Sequence, residues 1–475
     1  MELFPLFSQA TGLGILAFFG LLAYVLTQHF SKGYANNKDS FLLARRELNT
    51  FQGSLSVAAA WLWAPGLFIS AQIAYQKGLV GLFWFCFGNF LTLMLFGLII
   101  PKLRERLPKG FTFSGYLKKK FSTRVQKLFL GEMIVLAVCA FAINLVAGSR
   151  TVEVLTGIPY FVTTILMVAI AMLYSFRNGL KATVVTEIIK IIVVWTGVLV
   201  LIPWVIIEAG GWSVVERGMG GITGQGFNIF GGEFAWGVFT GFGITAFLGH
   251  LGGPWGDNSF YQRAFSIQPK FIKPSFLYAA FIFGIIPVMM GLLGFVGAGS
   301  MMQIPDNLHG MTNAIVIATF LPGYAAMFFV FLVFSGLVAI LDSQFSSIAN
   351  MVGHDLAEGK TRDHIGYARK GMIVLAITGL VIANIPGIQM LHIFLFFALL
   401  RALVWLPSMI VLLKPDWITE QGMFWGILLI AIVSIPMFTY GKLMGVGDLT
   451  FYGTLIAVFG SPVLAIGISK WRYQN

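Results

Sequence analysis

The chain has 475 residues, 57% of them hydrophobic and only 11% charged, with a formal net charge of +12. Water-soluble domains carry about 25% charged residues, so the composition excludes a soluble globule. The short alternating strands of a transmembrane barrel are absent, which leaves an all-α polytopic membrane protein.

Apolar runs near or above the roughly 20 residues that cross a bilayer predict about thirteen spans. Their limits are 10–31, 51–77, 79–101, 126–148, 157–176, 179–208, 234–262, 273–298, 316–353, 366–385, 388–413, 420–440 and 449–470. The 316–353 stretch is too long for one span, and a short outer helix and a break at Leu321, Pro322 and Gly323 are expected before the crossing. No small-residue cleavage site follows the first span, which is read as retained. Cys86 and Cys139 lie in apolar runs as packing residues, with no disulfide or metal-ligand spacing.

Positive charge is distributed unevenly among the loops. With the N-terminus outside, thirteen spans put the C-terminus inside and 25 of the 31 Lys and Arg residues in cytoplasmic loops. Lys77, Arg150, Arg217 and Lys442 then face out, while Lys190 and Arg401 lie within spans. This bias follows the positive-inside rule and predicts a multi-pass protein of the cytoplasmic (inner) membrane in that orientation. The +12 therefore anchors loops at lipid, and no nucleic-acid partner is expected.

Two spans carry backbone breakers near mid-membrane: AAAWLWAPGLF (58–68) and GHLGGPWGDNSFYQR (249–263). Proline removes a helical hydrogen bond and clashes with the preceding turn, and adjacent glycines weaken the helical state. Backbone groups freed at that depth persist only against protein, a cavity or a bound solute. The first break opens five spans (51–208) and the second opens another five (234–413). Five is odd, so the two groups are inverted, and matched interruptions in inverted halves point to a secondary transporter's binding site. A small polar solute is expected between Ala60, Trp61, Trp63, Ala64 and Pro65 on one side and His250, Gly252, Gly253 and Trp255 on the other. Trp61 and Trp63, lying mid-span, are expected to wall or gate that site. Asp257, Asn258, Gln262 and Arg263 follow the second break and are expected to serve structure or gating.

A charge at a helix centre costs at least about 2.5–3.5 kcal/mol, so such residues pair or line pathways. Lys190 lies one turn from Glu187 on the same helix face. Asn144, Gln72 and Gln389 read as interhelical hydrogen-bonding groups, Arg401 as snorkelling or paired, Glu132 as structural, and His354–Asp355 as a solvated helix end. No nucleotide loop, zinc spacing or nucleophile motif is present, and neither an enzyme nor a bound cofactor or metal is expected.

At these residues the chain resembles the sodium:solute symporter family. DNSFYQRAF (257–265) is similar to the segment after that family's second broken helix, and NGLKATVVTEIIK (178–190) to the opening of its fifth core helix. SGLVAILDSQFSSIANMVGHDL (335–356) is similar to its eighth core helix, and AAWLWAPGLFISAQIAYQKGLVGLFWF (59–85) resembles the urea-transporter branch. Over roughly residues 40–400 the resemblance implies a LeuT-type five-plus-five inverted-repeat fold in a single transmembrane domain, 1–475. One extra N-terminal helix (10–31) and two extra C-terminal ones (420–470) flank it. It implies alternating-access import of a small polar solute, with urea or a similar amide leading. Gly253, where sugar-transporting relatives often carry an aromatic gate, weighs against a sugar. His250 matches a substrate-facing asparagine of the family.

The resemblance also implies a coupling sodium held by two neighbouring hydroxyls, yet Ala339 and Ile340 stand in their place. Neither supplies the oxygen that a hard cation needs. The coupling candidates are then Glu187, Lys190, Asp342 and Ser343, with the Lys190 ammonium standing in for sodium and paired with Asp342 or Glu187. Coupling to H+, or no coupling, is expected; the alternatives are Na+ coupling at a non-standard site and a channel-like facilitator.

Overall fold

The computed structural model describes residues 5–32, 37–388 and 390–474, so Gln389 lies outside it, as do the side chains of Asn178, Ala339, His392 and residues 472–474. Among the described residues the chain builds helices, with one isolated backbone bridge between Leu48 and Ile267. Twelve helices among the described residues are long and apolar enough to cross a membrane, and the protein is a multi-pass integral membrane protein. In chain order the elements used below are α1 (Gln9–Phe30), α2 (Thr50–Trp61), α3 (Ser70–Ile99) and α4 (Phe113–Lys120). They continue as α5 (Thr123–Thr156), α6 (Tyr160–Asn178), α7 (Leu180–Glu208), α8 (Ile244–Gly256) and α9 (Asn258–Ser266). Last come α10 (Ile272–Gly299), α11 (Gly323–Asn350), α12 (His364–Ala383), α13 (Met390–Leu413) and α14 (Glu420–Leu443). A closing crossing covers Gly447–Trp471.

Helix α10 lies along α3 and α2, α8 along α13 and α3, and α11 along α7 and α5. Small residues set these approaches, as at membrane helix interfaces generally. Gly284 of α10, for instance, faces the Phe90 ring of α3 where a Cβ would collide.

The predicted span 51–77 is made of two pieces. Helix α2 stops at Trp61, Leu62 leaves the helical region (φ −84°, ψ 82°), and the chain resumes through a π-helical turn at Pro65–Ile69. Gly78 (φ +67°) then separates this crossing from the next, and a Cβ there would strike the Met219 carbonyl, so glycine is required.

The second expected break is corrected by the structure: α8 runs as one helix through Gly252, Gly253 and Pro254 to Gly256. Pro254 lacks the N–H that would reach the His250 carbonyl one turn back. The Thr92 hydroxyl of α3 donates to that carbonyl instead, at 2.6 Å. The glycines serve close packing and leave the helix intact. A Cβ on Gly252 would stand 2.8 Å from the Arg401 carbonyl of α13, and one on Gly253 would enter the Trp61 indole. The chain turns one residue later, at Asp257 (φ −108°, ψ 110°), whose carboxylate accepts from the Ser259 amide at 2.8 Å to cap α9.

Candidate functional site

Interruption of α2 opens its last carbonyls to a side chain from another helix, although that of Ala59 also accepts from the Leu62 amide at 3.1 Å. Lys190 of α7, fully buried, donates from Nζ to the Ala59 carbonyl at 2.8 Å and to the Leu62 carbonyl. The Ala64 amide, freed on the other side of the gap, donates to Asn144 Oδ1 of α5 at 2.9 Å. The break is thus closed by a cation on its carbonyls and an amide oxygen on its N–H.

The expected pairing of Lys190 with Asp342 or Glu187 is corrected: its protons go to backbone oxygen, and Glu187 has other partners. Arg263 forms an ion pair with Glu187, donates from Nε to Ser56 Oγ at 3.0 Å, and donates from Nη2 to Ser343 Oγ at 2.8 Å. Ser56 and Ser343 each donate to the Glu187 carboxylate at 2.5 Å. Arg263, counted above among loop positives, is instead fully buried and ties α9 to α2, α7 and α11. Asp342 accepts from the Thr186 hydroxyl at 2.5 Å, and its other oxygen has no partner. Ile340 packs in the apolar core, and Ala339 belongs to the same helix, with its side chain outside the described residues.

His250 and Trp61 come together across the gap, their ring centroids 6.3 Å apart. A residue that the sequence reading missed, Asn89 of α3, joins them. Its Oδ1 accepts from the Trp61 indole N–H at 3.0 Å, and its Nδ2 donates to the Phe85 carbonyl at 2.9 Å. Both partners have a single role, so the amide orientation is fixed. Nδ2 therefore also donates to His250 Nε2, 3.1 Å away, and Nε2 must be the unprotonated nitrogen. The imidazole proton then sits on Nδ1, which is buried and has no partner. Rings of Phe85 (5.1 Å) and Phe394 (5.6 Å) enclose it. Asn89, a lone amide in an apolar span, carried the same signal that singled out Asn144.

Trp63 packs at a tilt against Phe397 and Phe394 of α13, and Ala60, Ala64 and Pro65 are buried. Trp255 is not brought to this group: it packs on Phe96, and its carbonyl accepts from the Tyr261 hydroxyl. Asn258 and Gln262 donate to the Ser347 and Ser346 carbonyls of α11, and Gln262 also reaches the Leu42 carbonyl. Arg401 of α13 approaches Asp257 at 3.5 Å and lies over Phe397, Trp61 and Trp63. Glu132 of α5 meets Gly256 beside the Arg401 stem, with both carboxylate oxygens buried and unpartnered.

A vestibule of about 480 Å³ opens at one end of the bundle, lined by Gln72, Arg150, Asp306, Asn384, Met390 and Leu391 among others. Of its lining residues, Met390 lies one helical turn before Phe394, whose ring centroid is 5.6 Å from that of His250. The opposite end is latched. Asp355, expected to be solvated, accepts from Thr112 and Ser114 at 3.0 and 2.7 Å and from Gln126 at 3.3 Å, and His354 stacks on Phe111.

The rice (Oryza sativa subsp. japonica) urea-proton symporter DUR3 is 24% identical over 60% of this chain and 43% of its own. The probable urea active transporter 1 of Schizosaccharomyces pombe is 23% identical over 79% and 62%. The chain thus spans less than two thirds of the length of these relatives. A solved Na+-coupled sialic acid symporter shares the fold, with a TM-score of 0.79 at 16% identity over 97% of this chain and 98% of that one. The family model of the sodium:solute symporter family matches residues 41–433, and the chain belongs to that family.

Proposed function

We propose that this protein is a secondary transporter that imports a small polar solute of the urea type by alternating access, without sodium at the broken helix. The observation that carries the solute reading is the buried, unpartnered Nδ1–H of His250 inside an aromatic wall. A buried donor without a partner costs about 1–3 kcal/mol, which a planar amide carbonyl recovers while its faces lie against the rings. The names of the urea relatives support the same solute class.

Lys190 supports independence from sodium, since its ammonium takes the carbonyls of Ala59 and Leu62 that a cation would use. A fixed ammonium leaves the proton as the coupling ion. The two inverted halves, 51–208 and 234–413, rock about this centre, with the vestibule outside and the Asp355 latch at the cytoplasm. In the cytoplasmic membrane this sets the N-terminus outside and the C-terminus inside.

Counterflow of radiolabelled urea into proteoliposomes tests the reading. Saturable exchange is expected, with His250→Ala raising the half-saturating concentration about tenfold, the equivalent of one hydrogen bond of about 1.4 kcal/mol, at unchanged yield of folded protein. Flux that never saturates would mean a channel, and an unchanged half-saturation in the variant would remove His250 from the site.

A further inference from the structure

Two buried charge clusters flank the tryptophans of the break, and they differ in charge balance. In the first, the cations Lys190 and Arg263 stand with the carboxyl groups of Glu187 and Asp342. In the second there is one cation for two acids: Arg401, 3% exposed, lies 3.5 Å from Asp257, and Glu132 supplies the second carboxyl group. The charged groups acting on Glu132 are Arg401 from α13 and Asp257 from the α8–α9 junction. The other titratable groups near the cluster are Tyr261 of α9 and Cys139 of α5.

Glu132 differs from the other carboxylates of the interior in having neither oxygen hydrogen bonded, although both are buried. An ionised carboxylate so placed is among the most costly groups a protein can hold, and it neutralises instead. The backbone at the end of α8 holds it in that condition. A Cβ on Gly256 would stand 2.7 Å from Glu132 Oε1 and 3.4 Å from Arg401 Cγ, so the glycine lets the junction press directly on the carboxyl. Water cannot reach both oxygens until that junction moves.

We infer that Glu132 is a proton-binding site of the transport cycle, carrying its proton in this arrangement and releasing it when the α8–α9 junction moves off. Loaded, the cluster is neutral, and Arg401 stays with Asp257 and against the indoles of Trp61 and Trp63 (5.1 Å each). Unloaded, Glu132 becomes a second anion competing for the guanidinium, which draws Arg401 from the tryptophans that wall the solute site. Proton occupancy and solute occupancy are thereby linked through one side chain. This rests on the reading of the chain as a solute carrier and names where its proton sits.

Infrared difference spectroscopy of the purified full-length protein between neutral and alkaline pH tests the proton site without any transport. A protonated-carboxyl C=O component is expected in wild type and in Asp342→Asn, and absent from Glu132→Gln. Spectra of Glu132→Gln that superimpose on wild type would overturn the assignment. In proteoliposomes, Glu132→Gln is expected to keep urea counterflow at equal pH while losing at least about tenfold of the accumulation driven by an inward proton gradient. Retained gradient-driven accumulation would overturn the link to transport. Wild type that moves no urea would sink the solute reading alone, and the infrared result would still decide Glu132.

Discussion

At the residue scale the centre of the molecule is Lys190. Its ammonium occupies backbone carbonyls that α2 exposes by stopping at Trp61. Replacing it with methionine keeps the stem and removes both hydrogen bonds, leaving the Leu62 carbonyl without the ammonium and the Ala59 carbonyl with the Leu62 amide alone; the expected cost is about 1–3 kcal/mol. Lys190→Met is expected to unfold at lower temperature and to lose at least about tenfold of urea counterflow, with no rescue by sodium because Ile340 offers no oxygen. Full counterflow in that variant would show that the ammonium takes no part. The sequence made Lys190 conspicuous as a charge inside an apolar span, but it could not show the partner. Glu187 one turn away on the same face looked natural, whereas Glu187 is held by Arg263, distant in sequence, and by the hydroxyls of Ser56 and Ser343. Partner choice among buried charges is a tertiary property.

At the element scale α8 is the instructive case. Proline and two glycines predicted an unwound segment, and the helix is instead continuous because Thr92 supplies the donor that Pro254 lacks. Thr92→Val is expected to leave the His250 carbonyl unpaired and to destabilise the fold by about 1–2 kcal/mol, read as a lower unfolding temperature in detergent. Stability equal to wild type would return the helix's continuity to packing alone. By contrast the break expected in α2 is present, and Asn144 of α5 caps its freed Ala64 amide; the breaker residues alone did not tell the two cases apart.

The latch at the other end joins α4 to the end of α11. Asp355→Ala removes the acceptor of Thr112, Ser114 and Gln126, and amide exchange across α4 is expected to speed up about tenfold; unchanged exchange would deny the latch. Beside it the Lys118 ammonium hydrogen bonds Glu358 at 2.6 Å and holds that carboxyl below its usual range. A folded-state value below the unfolded one adds stability above the ordinary carboxylate range and loses it on acidification. That surface pair, beside the latch, therefore contributes less as pH falls into the acid range.

At the scale of the whole molecule, composition and charge bias already implied a polytopic helical protein, and the family match extends over residues 41–433. Less legible was the way the inner elements are bound to one another. Arg263 alone joins α2, α7, α9 and α11, and in the sequence it was one more positive residue near a loop. The same holds for Glu132 and Arg401, which are 269 positions apart and meet only through the packing of α5 on α13.

The central claim is that an internal ammonium has replaced the coupling sodium. Urea uptake into proteoliposomes, with sodium replaced throughout by potassium, measures it most directly. An imposed inward proton gradient should drive urea above its external concentration in the complete absence of sodium. Uptake that requires sodium and ignores the proton gradient would contradict the account.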